Sequence, residues 1–263
     1  MNKNIILSIE GLSVSYKNKD VLTDINLQIE KGKVYSIIGP NGCGKTTLIR
    51  TINRSIKPKK GKIFLNGENI FKMKNKDVAK KIAILNQNNN TMNDVTVKRL
   101  VQYGRYAYKN WWETVDGKDS EIVQWAMEKT GVIKLQNRRI NTLSGGEMQR
   151  VWIAMSVAQK PEILLLDEST TYLDICNQLE IMDLITKLNK EEEITIVMVL
   201  HDINHAVRYS NELIIIDDHQ IYAKGDPWII LKSGAIEEVF KVKAEITMDE
   251  DTKKPRFYAK ECI

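Results

Sequence analysis

The stretch "GPNGCGKT", Gly39 to Thr46, constrains this chain more than any other. It is a full match to the phosphate-loop pattern, and it stands where that pattern works, after the apolar run "KVYSII" and before the helix-like "TTLIRTIN". Gly39, Gly42 and Gly44 let the backbone bend so that consecutive N–H groups face inward onto phosphates. Pro40, Asn41 and Cys43 complete the loop. Lys45 brings a point charge to the terminal phosphates, Thr46 a hydroxyl suited to Mg²⁺, and Thr47 a contact nearer the alpha phosphate. A buried strand, a glycine loop and a helix in that order predict an α/β phosphate-loop fold.

The remaining pattern agrees. "NIILSIE" and "DINLQIE" read as strands, with Ile25, Leu27 and Ile29 alternating with polar residues. "GKIFLNG" is another strand, closed by the turn pair Asn66-Gly67, and "KIAILNQ" a further one. From about Val95 to Gln159 the apolar spacing turns helical, as in "EIVQWAMEKTGV", where Ile122, Trp125, Ala126 and Lys129 are three or four apart. Strand and helix then alternate through "EILLLDE", "ICNQLEIMDLITKLN", "ITIVMVLHD", "INHAVRYS" and "ELIIIDD". This implies a largely parallel sheet with helices on its faces and a helical insertion over about 95–159. "AEITMDEDTKKPRFYAK" suggests a small appended hairpin within 241–263.

Two further places carry chemistry. Asp167 ends an apolar strand, where its carboxylate can serve Mg²⁺, and Glu168 follows at once. An acidic pair ending a buried strand is costly unless it meets a cation or a reacting water. "LSGGEMQR" (143–150) opens a helix with Ser144 and the glycine pair Gly145-Gly146. A helix start has free N–H groups and a positive dipole end, so it suits an anion. Ser144 and Glu147 also have the spacing of a capping box, a role compatible with holding a phosphate.

Composition sets few further limits. The net charge of +5 permits anionic ligands or a membrane surface without demanding nucleic acid. Cys43, Cys176 and Cys262 are odd in number and lack metal-like pairing, which predicts reduced thiols and a cytosolic compartment. No signal-peptide pattern opens the chain, and "ITIVMVL" is far too short for a membrane span.

The phosphate loop, "LSGGEMQR", Asp167-Glu168, the loop "STTYLD" and a strand ending at His201 together resemble the nucleotide-binding subunit of ATP-binding cassette (ABC) transporters. The resemblance spans about residues 1–240 in order, which is far more specific than one motif. It implies a RecA-like core, an antiparallel β subdomain and the inserted helical subdomain. It also implies ATP and Mg²⁺ as ligands and a second copy bound head to tail. Ser144, Gly145 and Gly146 of one copy then face the gamma phosphate held by the other. By the same resemblance Glu168 is the general base, His201 contacts the gamma phosphate, and Gln87 senses Mg²⁺ beside Thr46 and Asp167. Tyr16 stacks on adenine, and Asp174 communicates across the dimer. Ser169 and Glu147 stand where Pro and Gln are frequent, and Cys43 is a candidate site of thiol inactivation.

"VTVKRLVQYGRYAY" (95–108) is similar to the stretch that iron–siderophore and vitamin B12 importers set against their membrane permease. Arg105 and Tyr106 are candidate contacts, with a solvated helix face as the alternative, and the contact region runs over about 87–108. The resemblance implies a peripheral ATPase at the cytoplasmic face of the membrane, serving a polytopic permease and, through it, an extracytoplasmic binding protein. A ferric-siderophore cargo is expected, with haem or cobalamin next. A non-transport ABC switch is the alternative from a different class, and a phosphate-loop kinase leaves "LSGG" unexplained.

Overall fold

A computed structural model describes residues 4–17, 19–86, 94–109, 117–168 and 173–263. The chain divides into two units, one of Met1–Lys72 with Thr195–Ile263 and one of Met73–Ile194.

The first unit begins with β1 (Ile5–Tyr16), β2 (Lys19–Glu30), β3 (Val34–Ile38), α1 (Lys45–Ile52), β4 (Lys60–Leu65) and β5 (Glu68–Asn69). The second holds α2 (Asn75–Lys81), β6 (Ile82–Leu85), α3 (Val97–Tyr103), α4 (Gly117–Lys129), α5 (Gly145–Ala158), β7 (Ile163–Asp167) and α6 (Ile175–Glu192). The first unit resumes with β8 (Thr195–Val199), α7 (Ile203–Tyr209), β9 (Glu212–Asp217), β10 (Gln220–Gly225), α8 (Pro227–Lys232), α9 (Ala235–Phe240), β11 (Val242–Met248) and β12 (Pro255–Cys262).

Within the first unit, β1, β2, β4 and β5 form an antiparallel sheet in the order β2-β1-β4-β5. Its strands alternate as a half-buried sheet should, with Leu22, Ile25, Leu27 and Ile29 of β2 buried. Asn66 and Gly67 sit at φ 50 and 82, so the predicted turn between β4 and β5 uses two left-handed residues. The second sheet of this unit is different in kind. All five residues of β3 are buried, and β3 lies between β8 and β9 with both pairings parallel. A strand covered on both faces needs no polar alternation, which explains the unbroken apolar run "VYSII". β10 closes the edge antiparallel to β9. The whole arrangement delivers the end of β3 directly into the phosphate loop.

In the second unit β6 and β7 pair in parallel, and every residue of β7 is buried. Helices α3, α4 and α5 pack on one another. α4 confirms the helical spacing, and its buried face can now be assigned. Val123, Ala126 and Met127 are buried, with Thr130 following, whereas Ile122, Trp125 and Lys129 are only partly covered. Val123 and Met127 make the tighter stripe, and the long side chains beside it lie along the margin. Lys160 stacks over the Trp125 ring, and Lys129 pairs with Glu191 and Glu192 at 2.8 Å each.

Candidate nucleotide site

The phosphate loop is built by glycine geometry. Gly39, Gly42 and Gly44 take φ of 151, 81 and 111. At Gly39 an added Cβ would lie 2.1 Å from the Ile216 carbonyl oxygen, and at Gly44 2.7 Å from that of Val21. Neither position has room for a side chain, so the chain turns inward here. The first helical bond of α1 runs from the Leu48 N–H to the Gly44 carbonyl at 2.9 Å. The N–H groups of Lys45, Thr46 and Thr47 therefore precede the ladder and belong to the set a helix start offers to an anion. The Lys45 side chain is 4% exposed, and its ammonium donates to the carbonyls of Gly39 and Pro40 at 2.8 and 2.9 Å. It is thus held over the loop, inside the same cradle. Thr47 is buried and Thr46 half-buried, while Asn41 and Gly42 form an exposed rim.

Cys43 behaves otherwise than expected for a reactive thiol. It is 6% exposed, and burial pushes its pKa up despite nearby Lys45. A buried, protonated thiol is a poor nucleophile. Cys176 and Cys262 are the exposed thiols.

Two more candidate site residues belong to the first unit. Tyr16 ends β1 and is 45% exposed. His201 is exposed just beyond β8. Its neighbour Asp202 caps α7 by accepting from the His205 N–H at 2.8 Å, which fixes the chain where His201 emerges.

In the second unit Asp167 is 1% exposed at the end of β7, and Glu168 turns the chain at φ 51. A left-handed glutamate is an unusual and costly backbone state. It sits at the residue read as the general base. Ser144 caps α5 through a complete capping box. The Glu147 N–H donates to Ser144 Oγ at 3.3 Å, and the Ser144 N–H donates to Glu147 Oε2 at 2.8 Å. That backbone bond leads the groups holding the Glu147 carboxyl below its ordinary pKa. Ser144 and Gly145 remain exposed while Gly146 is buried. Asp174 caps α6, and both its oxygens are engaged by Asn177 at 2.8 Å, from the backbone N–H and from Nδ2. The backbone bond is the main reason its pKa is lowered.

Asn177 escaped the sequence reading. A Cβ on Gly146 would lie 1.9 Å from Asn177 Oδ1, so the second glycine of "LSGG" is small because Asn177 packs against it. The only local signal was an Asn three residues after a capping Asp.

Gln87 and Ser169 lie outside the described residues. Arg105 is corrected. It is 5% exposed, donating to Asp119 Oδ1 and to the Ala158 carbonyl at 2.8 Å each, with the Tyr108 ring 3.8 Å from its guanidinium carbon. It is neither a solvated face nor an available docking contact, because the helical unit spends it internally. Tyr106 is 53% exposed and packs against Tyr103 at 4.9 Å.

The donor set suits Mg²⁺. Each unit carries a hard oxygen of the kind Mg²⁺ takes, the Thr46 hydroxyl in the first and the Asp167 carboxylate in the second, and Mg²⁺ is held by one or two carboxylates plus substrate phosphates rather than an all-protein cage. No group of three or more His, Cys, Asp or Glu able to hold a metal occurs among the described residues.

A glycine-built phosphate cradle with its lysine, in an α/β core, defines a phosphate-loop nucleotide-binding protein. The sequence profile of the ABC transporter family matches residues 22–171. The chain belongs to the ABC transporter family, and it is an ATP-binding cassette and an ATPase. It is 43% identical over 249 residues to the iron(3+)-hydroxamate import ATP-binding protein FhuC of Bacillus subtilis (strain 168), covering 95% of this chain and 93% of that one. It is 41% identical over 240 residues to the ferric enterobactin transport ATP-binding protein FepC of Escherichia coli (strain K12), covering 91% and 89%. A bacterial ABC transporter cassette solved as a dimer superposes with a TM-score of 0.73 at 28% identity, over 84% of this chain and 98% of that one.

Proposed function

We propose that this chain is the ATP-hydrolysing subunit of an importer for an iron chelate, acting as a head-to-tail pair beneath a membrane permease. The observation that carries it is the phosphate cradle, where glycines at positive φ and the Lys45 ammonium converge on one loop. Lys45 and the N–H groups of Lys45 and Thr46 hold the beta and gamma phosphates, Thr47 lies nearer the alpha phosphate, and Gly39, Pro40, Asn41, Gly42, Cys43 and Gly44 shape the loop. The exposed Tyr16 ring stacks on adenine. Thr46, Asp167 and Gln87 hold Mg²⁺, whose charge neutralises that building on the phosphates when bound. Glu168 orients or deprotonates the attacking water, and a placed base is worth about 10²–10⁴-fold in rate. His201 contacts the gamma phosphate.

Ser144, Gly145 and Gly146 complete the partner copy's site. Helix-end stabilisation of an anion is worth only about 0.3–1 kcal/mol when exposed. The glycine-pair helix therefore reports the nucleotide by closing the pair, while Lys45 does the holding. Asp174, at the cap of α6, communicates between the two copies. The exposed Tyr106 and its neighbours over 87–108, the buried Arg105 excepted, meet the permease. No helix among the described residues is long and apolar enough to cross a membrane.

The cargo class is supported by two relatives whose names specify iron(3+)-hydroxamate and ferric enterobactin. Near-equal identity to proteins named for different chelates favours iron chelates as a class over one particular chelate. The test is uptake of radiolabelled iron, as hydroxamate and catecholate chelates, in cells carrying only Glu168→Gln. Loss of at least one ferric-chelate uptake, with haem and cobalamin uptake unchanged, is expected. Loss of haem or cobalamin uptake instead overturns the cargo, and normal turnover by the variant removes Glu168 from its role.

A further inference from the structure

The C-terminal segment has no part in the chemistry above, yet it is tied to the helix that follows His201. β11 and β12 pair antiparallel from Val242↔Cys262 to Met248↔Pro255. Pro255 and Phe257 of β12 face inward and are buried, while Arg256 and Tyr258 face outward. The connecting turn is closed by Asp249, which accepts from the N–H and Oγ1 of Thr252 at 2.7 and 2.8 Å and pairs with Arg256.

Three contacts fasten this hairpin to its own unit. Asn204 of α7 donates from Nδ2 to the Phe257 carbonyl at 3.1 Å and accepts from the Phe257 N–H at 2.9 Å. One side-chain amide thus pairs with the backbone of β12 as a third strand would. The Lys254 ammonium donates to the Ser210 carbonyl at 3.3 Å, at the other end of α7. The Ala244 N–H donates to Glu237 Oε1 of α9 at 3.0 Å.

α7 has seven residues, far too few to be stable alone, so its position is set by what packs on it. Ala206 and Val207 are buried within the unit, and the hairpin engages the Asn204 side chain at the start of α7 and the Ser210 carbonyl at its end. His201 lies two residues before α7, joined to it through the Asp202 cap. A shift of the first turn of α7 is therefore a shift of His201.

We infer that the 242–262 hairpin is a brace that sets His201 for hydrolysis, with Asn204 as the positioning residue. The inference rests on His201 contacting the gamma phosphate. Misplacing a group by about 1 Å can cost about 10²-fold in rate, and loosening one anchor of two costs less. Asn204→Ala in the full chain, assembled with its permease, is expected to lower kcat about tenfold with the KM for ATP held within about twofold. Asn204→Asp keeps the acceptor for the Phe257 N–H and is expected to recover part of kcat. Hydrogen exchange at Phe257 is expected to accelerate in Asn204→Ala, reporting that the anchor is released.

His201→Ala, measured alongside, separates the two claims. If it turns over ATP normally, the reading of His201 fails. If His201→Ala is inactive but Asn204→Ala keeps full kcat despite faster exchange at Phe257, the brace is wrong. Equal losses in ATP affinity and melting temperature, with no recovery in Asn204→Asp, mark Asn204 as merely structural and also overturn the inference.

Discussion

At the scale of single residues, the site is written in backbone constraints. Gly39 and Gly42 both have positive φ, but their surroundings differ. A side chain on Gly39 meets the Ile216 carbonyl at 2.1 Å, whereas one on Gly42 meets nothing within 4 Å. Gly39→Ala is therefore expected to destabilise the protein by about 2–4 kcal/mol and abolish ATP binding, the size of a backbone clash with no room to relax. Gly42→Ala is expected to cost only about 1–2 kcal/mol, the strain of a left-handed Ala, in urea unfolding. Equal costs would mean that conformation alone, not the close approach to Ile216, fixes Gly39. These constraints explain why the phosphate loop was legible in the sequence, since a position that admits only Gly is recorded as Gly. Asn177 and Asn204 were not legible. Asn204 bonds a residue 53 positions away, and such a partnership leaves no local pattern.

Elements were legible to the extent that their burial is periodic and one-sided. β3 and β7 are buried at every position and read as unbroken apolar runs. α4 is legible as a helix from its spacing, but not its buried stripe, because the aromatic and aliphatic margins at Ile122 and Trp125 look as apolar as its core. Arg105 was misread for a related reason: a charged residue on a helical stretch looks solvated until its partner is known. That partner is Asp119, 7% exposed, which Arg105 and Lys109 reach at 2.8 and 3.0 Å. Burial works against the Asp119 charge, but the two cations prevail and hold its carboxyl below the ordinary value. A depressed carboxyl contributes stability above the unfolded pKa of 3.8 and loses it as the pH falls below that. Asp119→Asn leaves two buried cations short of a partner and is expected to cost about 3–5 kcal/mol at neutral pH. The difference from the unsubstituted protein should narrow below about pH 4. Urea midpoints at pH 7 and pH 3.5 check both, and a cost that does not change with pH would show that lost packing, not charge, carries it.

For the molecule as a whole, the point at issue is whether the exposed start of α5 serves only its own helix. The capping box gives Ser144 a complete local job, and Gly146 has one too, in making room for Asn177. Neither job requires Ser144 and Gly145 to be exposed, and a second copy's nucleotide gives that exposure a use. Substitution can separate the roles. Ser144→Ala and Ser144→Arg both remove the cap, and each should lower stability by about 0.5–2 kcal/mol. Only Ser144→Arg adds bulk and a long side chain to the face proposed to meet the partner. In a Glu168→Gln background, where bound ATP persists, the parent is expected to become dimeric by light scattering when ATP and Mg²⁺ are added. Its melting temperature should then rise with ATP concentration, because ligand binding to the folded pair alone shifts unfolding by mass action. Ser144→Ala should follow the parent apart from its lost cap. Ser144→Arg should bind ATP as a monomer, with a smaller thermal shift and no dimer. An ATP-induced dimer in Ser144→Arg would confine the glycine-pair helix to the chain that carries it and leave the trans assignment without support.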